Sequence, residues 1–293
     1  MPSGAKKNRF NWYDAIVYSL LLLFTLLTLV PFLFVVGGSF ASTKELLEKG
    51  VVLFPTQFSL DGYKYIFSTS TFITSLLVTV WITVSGTAVN LVMTILTAYP
   101  LSKSELKGQK ICMMLIVFSM IFSGGMIPTY LVVKAFGMLD SYWSLIIPGA
   151  ISGFNLIVIR NFFQQLPEGL EESAKIDGYN DLQILFRIVL PLSMPVIATF
   201  ALFYAVGHWN TYFNAILYIT DSAKWPIQVL LRQIVILSMG GIGDSNAFDV
   251  NFVPPAQTVK LAAIVVATVP ILLIYPFLQR HFTQGMMLGA MKG

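Results

Sequence analysis

Six stretches of this chain are apolar over lengths that suit a lipid bilayer, and no other feature limits its fold as much. They run over about 15–36, 72–98, 111–133, 143–159, 190–207 and 261–278. A hydrocarbon core about 30 Å thick asks for about 20 apolar residues per α-helix and offers no water to an unpaired backbone group. The chain is therefore predicted to be an all-α integral membrane protein with six transmembrane helices. Of its 293 residues 56% are hydrophobic and 11% charged. Soluble domains carry about a quarter charged residues, so a water-soluble globule is excluded.

Charge placement sets the predicted orientation. Lys6, Lys7 and Arg9, followed by Trp12 and Tyr13, precede the first apolar run as a basic stub with interfacial aromatics. That run is too long for a cleaved signal core and lacks a small-residue cleavage site. Lys103, Lys107, Lys110, Arg160, Arg280 and Lys292 fall on the same side as the stub. Lys44, Lys49, Lys64, Lys134, Lys224, Arg232 and Lys260 spread over longer loops on the other side. Both termini are thus expected in the cytoplasm, with residues 1–293 forming one transmembrane domain. The net charge of +4 is dispersed along the chain, so no nucleic acid is expected as a partner. The single cysteine, Cys112, sits among apolar neighbours and reads as packing.

Several breaks interrupt the runs. Pro31 is expected to kink the first span, and Ser123-Gly124-Gly125 with Pro128 to break the third. Residues 39–70 read as an ordered outer loop holding a short amphipathic helix, and 221–257 as a long outer excursion. Gly149 and Gly153 have the spacing that lets two helices approach closely.

One stretch cannot lie in lipid. Glu168, Glu171, Glu172, Asp177 and Asp181 crowd a segment whose one nearby lysine is Lys175. A single such charge at a bilayer centre costs about 2.5–3.5 kcal/mol on insertion scales. Pro167 suits a first helical turn, and the glutamates follow it near the positive helix end. Gly178 stands where a left-handed C-terminal cap is expected. Asn180 with Gln183 resembles an N-cap opening a second helix that runs to Pro191. A helix, a glycine hinge and a helix entering the membrane form a knob that another protein can grip. An ordinary solvated loop helix has the same spacing.

The run from Glu171 to Pro191 resembles the EAA motif of ATP-binding-cassette (ABC) importer permeases. Glu172, Ala174, Gly178, Ile188, Leu190 and Pro191 fall at the motif's spacing, and Ser173 stands where the family usually has alanine. The whole chain looks like the maltose-permease type, in its polysaccharide-import branch. Its closing residues, Gln279 to Gly285 and Gly289 to Gly293, resemble that branch's C-terminal signature.

The resemblance implies a type I ABC importer permease fold. It also implies a second, homologous permease subunit, two cytoplasmic ABC ATPase subunits and an extracytoplasmic solute-binding protein. It places ATP and magnesium in the ATPase, with no cofactor in this chain. Glu171, Glu172, Ala174, Asp177, Gly178, Leu190 and Pro191, within a coupling segment of about 165–190, would transmit ATPase closure. Gln284, Gly285 and Gly289, in the tail 279–293, would reach the ATPase dimer. A frayed terminus is the plain alternative for that tail. The cargo implied is an oligosaccharide, with alginate or another uronate oligosaccharide as the first candidate.

The residues themselves exclude other engines. No phosphate-binding loop, zinc pair or nucleophile elbow occurs, so the chain is not read as an enzyme. No carboxylate lies midway in any predicted span, which argues against a carrier driven by protons or sodium. His208, Trp209, Asn210, Tyr212 and Asn214 cluster at the outer end of the fifth span. They suit a sugar path, and equally an interfacial aromatic belt. The glycine-rich segment 239–244 matches by position a loop that maltose-type permeases project into their binding protein. An importer of peptides, amino acids or another small solute, and a non-transporting membrane scaffold, are the rival readings.

Overall fold

The computed structural model describes residues 12–238 and 257–290, without the side chains of Glu168 and of residues 275–290. The basic stub, the glycine-rich segment 239–244 and Lys292 therefore lie outside the described residues. In chain order the α-helices are α1 (Trp12–Ser39), α2 (Thr43–Lys49), α3 (Asp61–Ser68), α4 (Ser70–Ser102), α5 (Gln109–Ile121) and α6 (Met126–Ala135). Then come α7 (Trp143–Ile146), α8 (Gly153–Gln164), α9 (Glu168–Ile176) and α10 (Asp181–Ile184). A π-helical turn, Leu185–Val189, leads into α11 (Leu190–Leu192) and α12 (Met194–Trp209). The last are α13 (Phe213–Tyr218), α14 (Ile227–Ser238) and α15 (Gln257–Ala290). Extended pairing among the described residues is limited to one antiparallel bridge between Ala41 and Phe58.

Three helices are long and apolar enough to cross a membrane unaided: α1, α4 and the stretch Gln257–Ile274 of α15. Two bent pairs add a crossing each if each pair is one span, α5 with α6 at 117° and Asp181–Leu192 with α12 at 84°. The described helices thus supply three to five crossings by length, where the apolar runs predict six. The difference lies in the fourth run. There α7 has 4 residues, and α8 has 12 and begins only at Gly153. At 1.5 Å per residue α8 reaches about 18 Å, short of a bilayer core.

Side chains of the second unit, described below, take up the backbone groups freed by this break. Asn90 Nδ2 lies 3.5 Å from the Gly149 carbonyl, and the Ser152 N–H donates to the Tyr204 hydroxyl at 3.3 Å. Gly149 and Gly153 consequently do not share one helix face. Gly153 alone makes a close approach, since a Cβ there would meet Met120 Cγ of α5 at 2.6 Å. A Cβ on Gly149 would meet nothing.

The described residues form two compact units. The first draws on Met1–Ser68 and Ile234–Val266. Along α1 the side chains from Leu20 to Leu29 are largely exposed, an all-round apolar surface that suits lipid. Thr25 and Thr28 return their hydroxyls to the Leu21 and Phe24 carbonyls, which leaves no free donor on that surface. The core of the unit is Ala41, Leu46, Val52 and Leu261. The expected outer-loop helix is present as two, α2 and α3.

Glu45 on α2 organises the loop that follows. Its buried carboxylate pairs with Lys49 at 2.8 Å and accepts the Thr56 N–H, the Thr56 hydroxyl and the Gln57 N–H at 2.9, 2.7 and 3.0 Å. The Lys49 ammonium first, then these donors, hold the Glu45 carboxyl at about 2 against an ordinary 4.5. A depressed native pKa means the unfolded chain binds more protons in that interval. Its contribution is therefore complete above pH 4.5 and is lost as pH falls toward 2. In detergent, wild type is expected to outlast Glu45→Gln on heating at pH 6. The gap should shrink progressively below pH 4.5, and a pH-independent gap would contradict this account.

The second unit draws on Thr69–Gln233 and Ala267–Gly293. Its axis is α4, whose buried positions Phe72, Ser75, Thr79, Ile82, Gly86, Asn90, Thr94 and Ala98 recur every three or four residues. Both α12 and α8 pack along this helix. Polar groups on the buried stripe are used locally. Thr79 donates to the Ser75 carbonyl and accepts the Ile227 N–H at 2.7 Å, and so caps the start of α14. The Thr94 and Tyr204 hydroxyls pair at 2.8 Å.

Candidate functional site: the acidic hinge and its seat

The acidic segment folds as its local chemistry dictates. Pro167 precedes α9 at its N-cap, φ −60° and ψ 124°, one position before the helical turn expected for it. At the other end Gly178 has φ +83°, the Gly178 N–H reaches the Lys175 carbonyl, and the Tyr179 N–H reaches the Ala174 carbonyl at 2.9 Å. This is the glycine-terminated cap read from the sequence. Asn180 then caps α10 in a reciprocal box with Gln183, each bond 2.9 Å long.

Tertiary packing holds the hinge to the second unit. Ala174 is 3% exposed and belongs to a core with Ile184, Leu185 and Val189, the C-terminal part of α4 (Ala98, Tyr99, Leu101) and α8 (Leu156, Ile159, Phe163). A small residue is required at 174 because its Cβ already faces this core. Ser173 is exposed, so the departure from alanine there costs no packing. Leu190 is half-buried against the same core, while Pro191, Glu172 and Asp177 are exposed.

An ionic tie adds to this packing. Lys103, just past α4, pairs with Glu171 and stands 4.6 Å from the centroid of the Tyr99 ring. Beside it Arg160 Nε donates to the Leu101 carbonyl at 2.9 Å and Gln164 Nε2 to the Ser102 carbonyl at 3.2 Å. The freed carbonyls at the end of α4 thus come under α8. None of these tethers was identified from the sequence, although Lys103 facing a crowd of carboxylates was a usable charge signal. An open cleft of about 670 Å³ lies between the tether and the hinge, lined by Tyr99, Lys103, Glu105, Phe163, Lys175 and Asp181.

The hinge exposes apolar side chains as well as charged ones. Ile176 is 86% exposed, and Leu182 and Phe186 are each 59% exposed. Exposed aliphatic and aromatic side chains on the capped, anchored helix pair and the π turn after it, in a segment that also exposes Glu172, Asp177 and Asp181, suit a protein partner.

Past the hinge the helix does not run straight into its span. The π turn and α11 end at Ser193, where the chain bends by 84° into α12. Pro195 lacks an N–H and its ring crowds the carbonyl four residues earlier, which accounts for the bend. Movement of the hinge would therefore reach α12 through an elbow.

At the far end of α12 the five expected path residues separate into two groups. His208 and Trp209 are 8% and 6% exposed. The His208 ring lies against Gly86 of α4, and Trp209 Nε1 donates to the Ala267 carbonyl at 3.1 Å. Asn210 and Asn214 are exposed, and Tyr212 is half-buried with the Arg232 guanidinium 4.5 Å from its ring centroid. Gln284, Gly285 and Gly289 lie in the last turns of α15.

Comparison with known proteins gives the arrangement a context. A family model described as the inner membrane component of binding-protein-dependent transport systems matches residues 3–288. The chain belongs to that family. This permease is 58% identical over 287 residues to the polygalacturonan/rhamnogalacturonan transport system permease protein YtcP of Bacillus subtilis (strain 168), covering 98% of this chain and 100% of the relative. It is also 58% identical over 267 residues to protein LplC of the same organism, covering 91% and 90%. Among solved structures it resembles a chain of a bacterial ABC transporter described as importing the acidic polysaccharide alginate. The TM-score is 0.84 and the identity 31%, with 96% of this permease and 100% of that chain covered. The permease is thus a sugar-type ABC importer subunit in a membrane.

Proposed function

We propose that this permease is one of two homologous membrane subunits of a bacterial ABC importer, and that it carries oligosaccharides of uronic acids. The observation that carries the reading is its identity over nearly the full chain to a permease named for polygalacturonan and rhamnogalacturonan. Likeness to an alginate importer chain points to the same acidic sugar class. Galacturonate oligosaccharides therefore come ahead of alginate as cargo.

In this reading both termini and the acidic hinge face the cytoplasm, and an extracytoplasmic binding protein delivers the sugar. Two ATPase subunits bind ATP and magnesium. Ile176, Leu182 and Phe186 enter a cleft of one ATPase subunit, and its closure pushes on α9 and α10. Anchored through Ala174 and Lys103, the hinge passes the displacement through the elbow at Ser193 to α12. The tail of α15 meets the ATPase pair.

The deciding experiment copurifies the permease with its native partners and reconstitutes the complex in proteoliposomes. ATP-dependent accumulation of trigalacturonate is the expected result. A complex that takes up dipeptides or amino acids but no uronate would end this reading.

A further inference from the structure

At one end of the second unit Arg232 is held in place by a ring contact and pairs with no carboxylate among the described residues. That end is built around Val133, Tyr218 and Val229, with Tyr130, Tyr212 and Trp225 packed on them. Lys134, Lys224 and Arg232 adjoin these residues or lie one turn away. Lys224 is already committed: it donates to the Asp140 carbonyl at 3.0 Å and pairs with Asp221 at 3.6 Å. Asp140 in turn accepts the Thr220 N–H, the Thr220 hydroxyl and the Asp221 N–H, so this corner is satisfied internally. Lys134 sits in the last turn of α6, where a cation complements the helix carbonyls.

Arg232 differs from both. It is exposed on α14, its guanidinium carbon lies over the Tyr212 ring at 4.5 Å from the centroid, and it pairs with no carboxylate among the described residues. This cation–π contact restrains a side chain that would otherwise lose considerable rotamer freedom on binding. The N–H groups of Arg232 donate to no acceptor among the described residues, and a guanidinium edge matches a carboxylate in bidentate fashion. Other sugar-compatible groups flank Tyr212 in the chain. Phe213 is 57% exposed and Asn214 is exposed, while Asn210, its Nδ2 given to the Val206 carbonyl, keeps its side-chain oxygen.

We propose that Arg232, positioned by Tyr212, is the residue of this permease that receives a uronate carboxylate, with Asn214 meeting sugar hydroxyls beside it. The inference rests on the acidic-oligosaccharide reading above and adds the group on this chain that selects for charge.

The test measures trigalacturonate uptake by the reconstituted complex, with the binding protein unchanged throughout. If charge is what acts, uptake should fall in the order Arg232, Lys, Gln, Glu. The expected losses are about fivefold or less for Arg232→Lys, at least about tenfold for Arg232→Gln and about a hundredfold for Arg232→Glu. Arg232→Met, which keeps an apolar contact with Tyr212 without charge, should resemble Gln. Lys134→Glu reverses a charge elsewhere at the same end and should stay within about twofold of wild type, because a general field effect is screened.

The inference is overturned if Gln or Met transports like wild type, if Lys fails as badly as Glu, or if Lys134→Glu reproduces the loss. A wild-type complex that accumulates no uronate overturns the acidic-sugar reading and this inference together. Wild-type uptake without the graded loss overturns only the role of Arg232. Copurified ATPase, measured for each variant, separates failure of assembly from failure of recognition.

Discussion

Gly178→Asp is expected to cut ATP-driven uptake at least about tenfold, equivalent to about 1.4 kcal/mol of lost coupling, while the chain still accumulates in the membrane. Gly178 sits at φ +83°, where a side chain strains the backbone by about 1–2 kcal/mol, and Asp is among the residues that tolerate this region best. A Cβ at this position would meet no atom of the chain within 4 Å. The fold therefore has little reason to resist the change. A docked partner has two reasons: the added bulk on a surface it must cover, and a further carboxylate beside Asp177 and Asp181. Gly178→Asn, similar in size and backbone tolerance but neutral, separates bulk from charge. Uptake and copurified ATPase would be measured together. If Gly178→Asp keeps both at wild-type level, the hinge does not couple this permease to an ATPase.

The second large effect is expected at the centre of the second unit. Gly86→Ala should destabilise the purified complex, and His208→Ala added to it should return part of the loss. A Cβ on Gly86 would lie 2.5 Å from His208 Nε2, 2.6 Å from Cε1 and 2.8 Å from Cδ2. The methyl thus meets the imidazole itself, inside the packing of α12 on α4. Overpacking of this kind costs about 1–3 kcal/mol. His208→Ala alone opens a cavity and is destabilising too. The telling quantity is therefore the coupling between the two changes, expected at about 0.5–3 kcal/mol in the compensating direction. Melting midpoints of the four combinations in detergent give it. Simple additivity would mean that ring and glycine do not constrain each other.

These two sites differ in how far the sequence foretold them. The left-handed cap at Gly178 and the N-cap at Asn180 follow from groups a few residues apart, so composition and spacing were enough to read them. The expectation that the acidic segment avoids lipid is of the same local kind, since hydration of charge is a property of the residues alone. Gly86 gave no such signal. Its importance comes from the ring of His208, which reaches it only because α12 packs on α4.

Long-range contact likewise decided several other features. The pair Lys103–Glu171 spans 68 positions of sequence and forms because α9 is seated on the core around Ala98 and Leu156. The apolar run 143–159 reads as one helix by hydropathy. It breaks at Pro148-Gly149, where proline cannot continue the helix, and the break persists because Asn90 and Tyr204, on other helices, take up the Gly149 carbonyl and the Ser152 N–H. His208 and Trp209 read as members of a polar aromatic run, yet both are buried, whereas Asn210 and Asn214 remain at the surface. Local backbone chemistry and the water–lipid preference of each side chain were thus legible from residue order. Which polar groups meet, and which stay open to a partner, depended on helices brought together from distant parts of the chain.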